Sequence, residues 1–192
     1  MSPGLVWNTH NRISMVSAET HIQEWLSLEP AVDIETPYKP TTTTASEPGS
    51  KPLLDMPDEL ALRALLLGIV HRTVGVYAPA RAFLMDAHKR QPDLTVSTWI
   101  GSVALFELAV LELREAAAQE ELHSEASTTA DGPNGHSGSD VTVWAAALKL
   151  ATSHLDAATA LSGSEVDLST RLDSRIAILR DEIALKREML GL

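Results

Sequence analysis

The seven histidines are the side chains of this sequence best suited to metal binding or acid–base chemistry, because the chain contains no cysteine. None of them forms the zinc-protease pattern, in which two histidines on one helix face flank a glutamate that acts as base. The stretch Glu120-Glu121-Leu122-His123 comes nearest to it, and we interpret that stretch as a solvated helix end. Without cysteine, a thiolate nucleophile, a thiolate zinc site and a disulfide are all excluded.

A glycine-rich stretch contains two further patterns of functional interest, and both are incomplete. The run Gly135-His136-Ser137-Gly138-Ser139 lacks the last glycine of a nucleophile elbow, and no predicted strand precedes it to hold the serine in a strained turn. Gly132, Gly135 and Gly138 are similar to a phosphate loop, yet neither Lys-Ser nor Lys-Thr follows them. We therefore expect no catalytic, cofactor-binding or metal-binding residue, and no cofactor.

Charge and composition exclude other classes of protein. The 192 residues carry a formal net charge of -11, whereas a protein that binds duplex nucleic acid needs lysine and arginine to displace counterions from phosphates. No apolar run approaches the roughly 18 residues of a membrane span. The first ten residues lack the basic and then apolar pattern of a secretory signal. We expect a soluble, cytoplasmic protein without a transmembrane segment.

The periodicity predicts an all-α fold of antiparallel helix pairs, and no segment has a convincing strand pattern. Alanine and leucine supply most of the apolar residues, and aromatic residues make up only 4% of the chain, a composition that favours helices. Proline-rich residues 29–56 are predicted to be a disordered linker, and glycine- and serine-rich residues 124–140 a flexible insertion. Helices are predicted at 56–73, 77–90, 98–123, 141–161 and 165–190, with shorter candidates at 5–15 and 20–28.

Residues 61–94 follow the pattern of a tetratricopeptide repeat, a helix–turn–helix unit of about 34 residues. Gly68 and Ala80 would let the two helices approach closely, and Gly75 would occupy the turn. His71 is predicted to pack between the paired helices. The complete set of matching positions is Leu67, Gly68, Gly75, Ala80, Leu84, Ala87 and Pro92. A degenerate second copy follows at 97–163, and an arbitrary helical hairpin in a bundle is the alternative interpretation.

Four sequence stretches resemble the tetratricopeptide repeat protein 39 family, whose fungal members are called inclusion-body clearance proteins. They are D-E-L-A-L-R-A-L-L-L-G at 58–68, S-V-A-L-F-E-L-A-V-L at 102–111, D-L-S-T-R-L-D-S-R-I at 167–176 and L-V-W-N at 5–8. Thr9 and Val166 depart from the family, which has glycine and tyrosine there. Family members are several times longer, so the chain resembles only their C-terminal part.

The resemblance implies a non-enzymatic scaffold for protein–protein interaction that takes part in lipid-droplet-linked clearance of protein inclusions. It implies protein partners, including lipid-droplet-associated ones, and locations in the cytoplasm, the nucleus and at the mitochondrial outer surface. The expected domains are a partial helical repeat at 1–28, tetratricopeptide repeats at 57–94 and 97–163, and a capping helix at 164–192, for which a coiled-coil partner is the alternative. The rival functions are a truncated fragment without independent function and a small helical-bundle enzyme with a groove site.

The first helix of each tetratricopeptide repeat lines a concave groove, and the corresponding positions are candidates for partner binding. In the two predicted repeats they are Leu65, Ile69, Arg72, Thr73, Phe106, Val110, Leu113 and Arg114. Apolar anchors beside two arginines would suit an extended or helical segment that carries a carboxylate. The alternative is that the apolar positions belong to the core. An arginine open to solvent would favour the groove, and a buried arginine would favour the core.

Overall fold

The computed structural model describes residues 14–38, 53–127, 138–162 and 169–192, and the regular secondary structure of these ranges is helical. The α-helices of the described residues are α1 (Met15–Leu26), α2 (Pro57–Thr73), α3 (Tyr77–Lys89), α4 (Ile100–Ser127), α5 (Gly138–Leu161) and α6 (Ser169–Leu190). Described residues form no β-strand, and one isolated bridge joins Glu29 to Leu53. The all-α prediction is confirmed. The chain divides into two compact units, Met1–Val96 and Ser97–Leu192.

The helix boundaries differ most from expectation around the predicted insertion at 124–140. Helix α4 continues to Ser127 because the sequence contains no glycine or proline between His123 and Gly132, and α5 already begins at Gly138. The N-terminal helix starts earlier than expected, at Met15, because the Ser14 hydroxyl caps it and accepts from the Ser17 amide at 3.1 Å. The predicted helix at 5–15 lies almost wholly outside the described residues. Residues 163–168, which include the start of the predicted helix at 165–190, also lie outside them.

Helices α2 and α3 form a closely packed hairpin in the first unit. Gly75 adopts a φ of +78° in the turn between them, a conformation that glycine reaches without steric cost. A Cβ added to Gly68 would lie 2.6 Å from Cγ of Leu84, so the small residue sets how near the two helices lie. Leu67, Ala80, Leu84 and Ala87 are fully buried. Pro92 lies in the 3-10 turn Gln91–Asp93 that follows α3.

Residues 31–38, which we call the strap, lie against the helices of the first unit. Their exposure alternates strictly: Val32, Ile34, Thr36 and Tyr38 are half-buried, and the residues between them are exposed. This period of two is that of an extended chain with one face on a surface. The finding corrects the expectation of a disordered linker for this part of 29–56, because proline excludes helix and does not exclude extended chain. Residues 39–52 lie outside the described part.

The second unit consists of α4, α5 and α6. Leu108 and Leu111 of α4 and Leu148 and Leu155 of α5 are fully buried, and α6 packs on α5. The buried stripe of α6, spaced three and four residues apart, is Leu172, Ile176, Leu179 and Ile183. This apolar stripe of α6 is therefore covered within the chain, and the role of α6 as a capping helix stays a prediction. None of the helices in the described ranges has the length and hydropathy to cross a membrane.

Candidate partner-binding surface

The residues predicted to line a partner groove divide between the two units. On α2 they are Leu65, Ile69, Arg72 and Thr73, and on α4 they are Phe106, Val110, Leu113 and Arg114. Four of the apolar residues are each less than a tenth exposed, namely Leu65, Ile69, Phe106 and Val110, and Arg72 is 7% exposed. Thr73, Leu113 and Arg114 are half-buried. Binding of a partner at these residues stays a prediction, and the buried side chains present little surface to a partner.

A different surface of the first unit already holds an extended piece of chain. Val32, Ile34 and Tyr38 of the strap pack against a buried cluster formed by three helices. The members of that cluster are Ala18, Ile22 and Leu26 of α1, Leu67 and Val70 of α2, and Phe83 of α3. We call this surface the strap cleft. It binds apolar side chains at alternate positions of an extended segment.

Arg63 fixes the chain at the point where it leaves α1 and enters the strap. Its Nη1 donates to the carbonyl oxygens of Leu28 and Pro30, each at 2.9 Å. Nearby, the Leu54 amide donates to the Glu29 carbonyl at 2.7 Å. Burial of the guanidinium lowers the pKa of Arg63, with a further lowering from the charge of Arg90. A buried guanidinium needs acceptors, and the two carbonyls supply them.

His71 holds the other end of the strap and has no exposed surface. Its Nδ1 lies 2.7 Å from the Leu67 carbonyl oxygen, which only accepts, so Nδ1 carries the hydrogen. Nε2 of the neutral ring is then an acceptor, and it receives the Thr36 hydroxyl at 2.7 Å. The Tyr38 amide donates to the same Thr36 oxygen at 3.3 Å. Gln23 of α1 secures the end of the strap by donating to the Tyr38 carbonyl at 2.9 Å.

The surroundings of His71 keep it neutral. Burial lowers the pKa of His71, and the hydrogen bond to the Leu67 carbonyl opposes part of that effect. The ring lies 5.1 Å from the Phe83 ring of α3 and edge-on to the Tyr38 ring at 5.7 Å, measured between centroids. The sequence predicted that His71 packs between the paired helices, and its ring on α2 does contact the Phe83 ring on α3. Its partner Thr36 was missed, although the alternation within residues 31–38 was a signal for it.

In the second unit, the ionisable side chains join helices to one another. Nη2 of Arg175 on α6 lies 3.1 Å from Oε1 of buried Glu107 on α4, and its guanidinium lies 4.3 Å from the centroid of the Phe106 ring. Nζ of Lys186 lies 3.2 Å from Oε2 of Glu120 and 4.0 Å from the centroid of the Trp144 ring. These pairs hold α6 against its neighbours, a structural role for the charges.

The two described histidines of the second unit, His123 and His154, lie near carboxylates. His123, in the stretch expected to be a solvated helix end, is exposed and lies 2.6 Å from a carboxylate oxygen of Asp140. Nε2 of His154 lies 3.9 Å from Glu112. Across the described ranges, no three histidine, aspartate or glutamate side chains converge in a way that could hold a metal ion.

No protein-family model, no curated protein and no solved structure matches this chain. The candidate surface is therefore supported by its geometry. The strap cleft is a surface on which the structure shows polypeptide bound, in an extended conformation and with defined side-chain positions. The resemblance to the tetratricopeptide repeat protein 39 family stays an expectation.

Proposed function

We propose that this chain is a non-enzymatic helical scaffold that binds extended polypeptide segments, and that the strap cleft is its binding surface. The observation that supports the proposal is the strap itself, which packs on α1, α2 and α3 as an extended segment. Extended segments recognised by proteins bind through alternate side chains in this way. Affinity comes from the apolar side chains that the cleft covers.

The proposal includes tetratricopeptide-like pairing of the helices and the role implied by the family resemblance. The close approach at Gly68 and the positive φ of Gly75 support a repeat-like hairpin of α2 and α3. Helices α4 and α5 would form the second pair, and α6 would be the terminal cap that a short stack of repeats needs. We further propose protein partners connected with inclusion clearance and lipid droplets, in the cytoplasm, the nucleus or at the mitochondrial outer surface.

The positions of the strap define the segment that the cleft would select. Two apolar residues in alternation correspond to Val32 and Ile34, a hydroxyl corresponds to Thr36, and an aromatic ring corresponds to Tyr38. A segment without the hydroxyl would leave the buried Nε2 of His71 without a donor, at a cost of about 1–3 kcal/mol. Acidic side chains such as Asp33 and Glu35 are tolerated between these positions because they face solvent.

The proposal is tested with a synthetic peptide of residues 29–38 added to a chain whose own strap is weakened by Val32→Ser and Ile34→Ser. Because the strap is part of the same chain, its effective concentration at the cleft is about 1 mM. A segment that stays docked at this concentration needs a dissociation constant of about 1 mM or lower. We therefore expect saturable binding in that range by fluorescence polarisation. The unaltered chain should bind the peptide more weakly, because its own strap occupies the cleft.

A matched control peptide carries valine in place of Thr36 and differs only in the hydroxyl. We expect it to bind about tenfold more weakly, which corresponds to about 1.4 kcal/mol. Equal binding of this peptide, of a scrambled peptide and of the native one would refute the proposed function.

A further inference from the structure

We propose that the strap is a proton-operated latch, which covers the strap cleft while His71 is neutral and leaves it when His71 takes up a proton. The release of the strap does not depend on the proposed function. The proposal rests on that function only for the identity of the segment that the uncovered cleft would bind. It follows from the position of His71, which is wholly buried and whose Nε2 receives its hydrogen bond from the strap.

Protonation is incompatible with the hydrogen bond that the docked strap donates to His71. Neutral His71 donates from Nδ1 to the Leu67 carbonyl and accepts at Nε2 from the Thr36 hydroxyl. A protonated imidazole donates from both nitrogens, so the hydroxyl of Thr36 would have to turn its hydrogen away from the ring. The same oxygen already accepts from the Tyr38 amide at 3.3 Å. The docked strap therefore stabilises one protonation state of His71, the neutral one.

Among the described residues, the elements packed around His71 supply no counter-charge for an imidazolium. The strap contributes Thr36 and the ring of Tyr38, and its acidic residues Asp33 and Glu35 are exposed. Helix α3 contributes the apolar Phe83 ring. The charged residue next to His71 on α2 is the cation Arg72. On α1 the ionisable side chains are Glu19, His21 and Glu24, and on α3 Asp86 pairs with Arg90 at 3.0 Å.

The ionisable side chains of α1, Glu19, His21 and Glu24, are exposed. No carboxylate of the described residues contributes to the shift in the pKa of His71. Departure of the strap would admit water to the ring and return its pKa toward the ordinary value of about 6.5. Between the lowered pKa and about 6.5, the undocked state binds more protons than the docked state. Docking consequently weakens as the pH falls through this range, and it is constant above it.

Cysteine labelling can measure docking directly, because the chain contains no cysteine of its own. Ile34→Cys places one thiol on the half-buried side of the strap, and Glu35→Cys places one on its exposed side. The ratio of their labelling rates with a thiol reagent cancels the pH dependence of the thiol chemistry. We expect Ile34→Cys to react about tenfold more slowly than Glu35→Cys at about pH 8, and the two rates to converge at about pH 5. A ratio that does not change with pH would overturn the latch.

Two histidine variants, each made in the Ile34→Cys and Glu35→Cys chains, assign the effect. His71→Gln keeps an amide able to hydrogen-bond and cannot take up a proton, so the ratio should lose its pH dependence. His21→Gln removes an exposed histidine of α1 and should leave the pH profile unchanged. A pH profile of His71→Gln equal to that of the unaltered chain would show that another group controls the strap.

The His71→Gln chain tests the latch only if it folds, which a helical circular dichroism spectrum would show. If it does not fold, Thr36→Val is the second test of the latch. It removes the hydroxyl and leaves His71 in place. We expect weaker protection of Ile34→Cys at neutral pH, together with a pKa of His71, measured by NMR, closer to its ordinary value. Unchanged protection and an unchanged pKa would refute the latch.

The labelling and peptide experiments fail independently. Labelling reports whether the strap leaves the cleft, whatever the cleft binds. Peptide binding at about pH 8 reports whether the cleft accepts a segment, whatever releases the strap. A pH-dependent labelling ratio without peptide binding would retain the latch and reject the proposed function, and the opposite pair of results would do the reverse.

Discussion

At Gly68, the absence of a single methyl group determines how closely α2 and α3 pack. A Cβ there would lie 2.6 Å from Cγ of Leu84 and 3.1 Å from its backbone nitrogen. Leu84 is fully buried and cannot turn away into solvent. Ala80, on the same helix as Leu84, has no exposed surface either. Small residues at both positions are consequently a requirement of this hairpin.

We predict that Ala80→Leu lowers the free energy of unfolding of the first unit by about 1–3 kcal/mol, because three added carbons have no space in a buried contact. Ala82→Leu is the matched control, since Ala82 lies two residues further along α3 and is exposed. It should change the free energy by no more than about 0.5 kcal/mol. Urea denaturation measures both, and equal midpoints for the two variants would contradict the packing at Ala80.

Single residues also show how far the sequence could define the binding surface. Gly68 and Gly75 were found because a backbone requirement leaves a local signal, the lack of a side chain at fixed spacing. The Thr36–His71 pair was missed because its members lie 35 residues apart: the alternation within residues 31–38 indicates an extended segment and does not identify the helix that it contacts. Arg72 was expected to help distinguish a groove from a core by its exposure, and it is buried.

At the scale of elements, the helices were predictable and the strap was not. Apolar residues three and four apart defined α2 and α3 to within about one residue, because one face of each helix must be buried. The strap occupies a segment whose prolines correctly excluded helix. Prolines do not exclude burial, because an extended chain can bury every second side chain whatever its proline content.

Helix α6 depends on its charges as well as on its apolar stripe. Arg175 reaches from α6 to Glu107, whose side chain is 2% exposed. Two more basic residues of α6 bind α5: Nη2 of Arg180 lies 2.8 Å from Oδ1 of Asp156, and Nη2 of Arg187 lies 3.1 Å from the Thr152 hydroxyl. The exposed Arg180 pair contributes little in water, whereas the Glu107 pair is shielded.

We predict that Arg175→Met destabilises the second unit by about 3 kcal/mol, because it removes the guanidinium that lies beside the buried carboxylate of Glu107. Arg171→Met, on an exposed position one turn earlier in α6, is the control and should cost no more than about 0.5 kcal/mol. Adding Glu107→Gln to Arg175→Met should recover part of the loss, since it removes the buried charge. Chemical denaturation followed by circular dichroism measures all three, and no recovery in the double variant would contradict this account.

At the scale of the whole molecule, each unit has a core of its own. The first core is the cluster from α1, α2 and α3 beneath the strap. The second contains Leu108, Leu111, Leu148 and Leu155 of α4 and α5 together with the buried stripe of α6. A segment with its own core can unfold as a separate cooperative step, so one unfolding free energy need not describe the whole chain.

Two tryptophans allow this to be measured unit by unit. Trp25 packs against the first core and Trp144 is buried in the second unit, so single-tryptophan chains that retain one or the other report on one unit each. We predict that Ala80→Leu lowers the urea midpoint seen by Trp25 and leaves that of Trp144 unchanged, and that Arg175→Met does the opposite. Each variant is compared with its own single-tryptophan background, so the cost of replacing the other tryptophans cancels. If each substitution moved both midpoints equally, the two units would unfold as one, because a single cooperative transition transmits a local loss of stability to every probe.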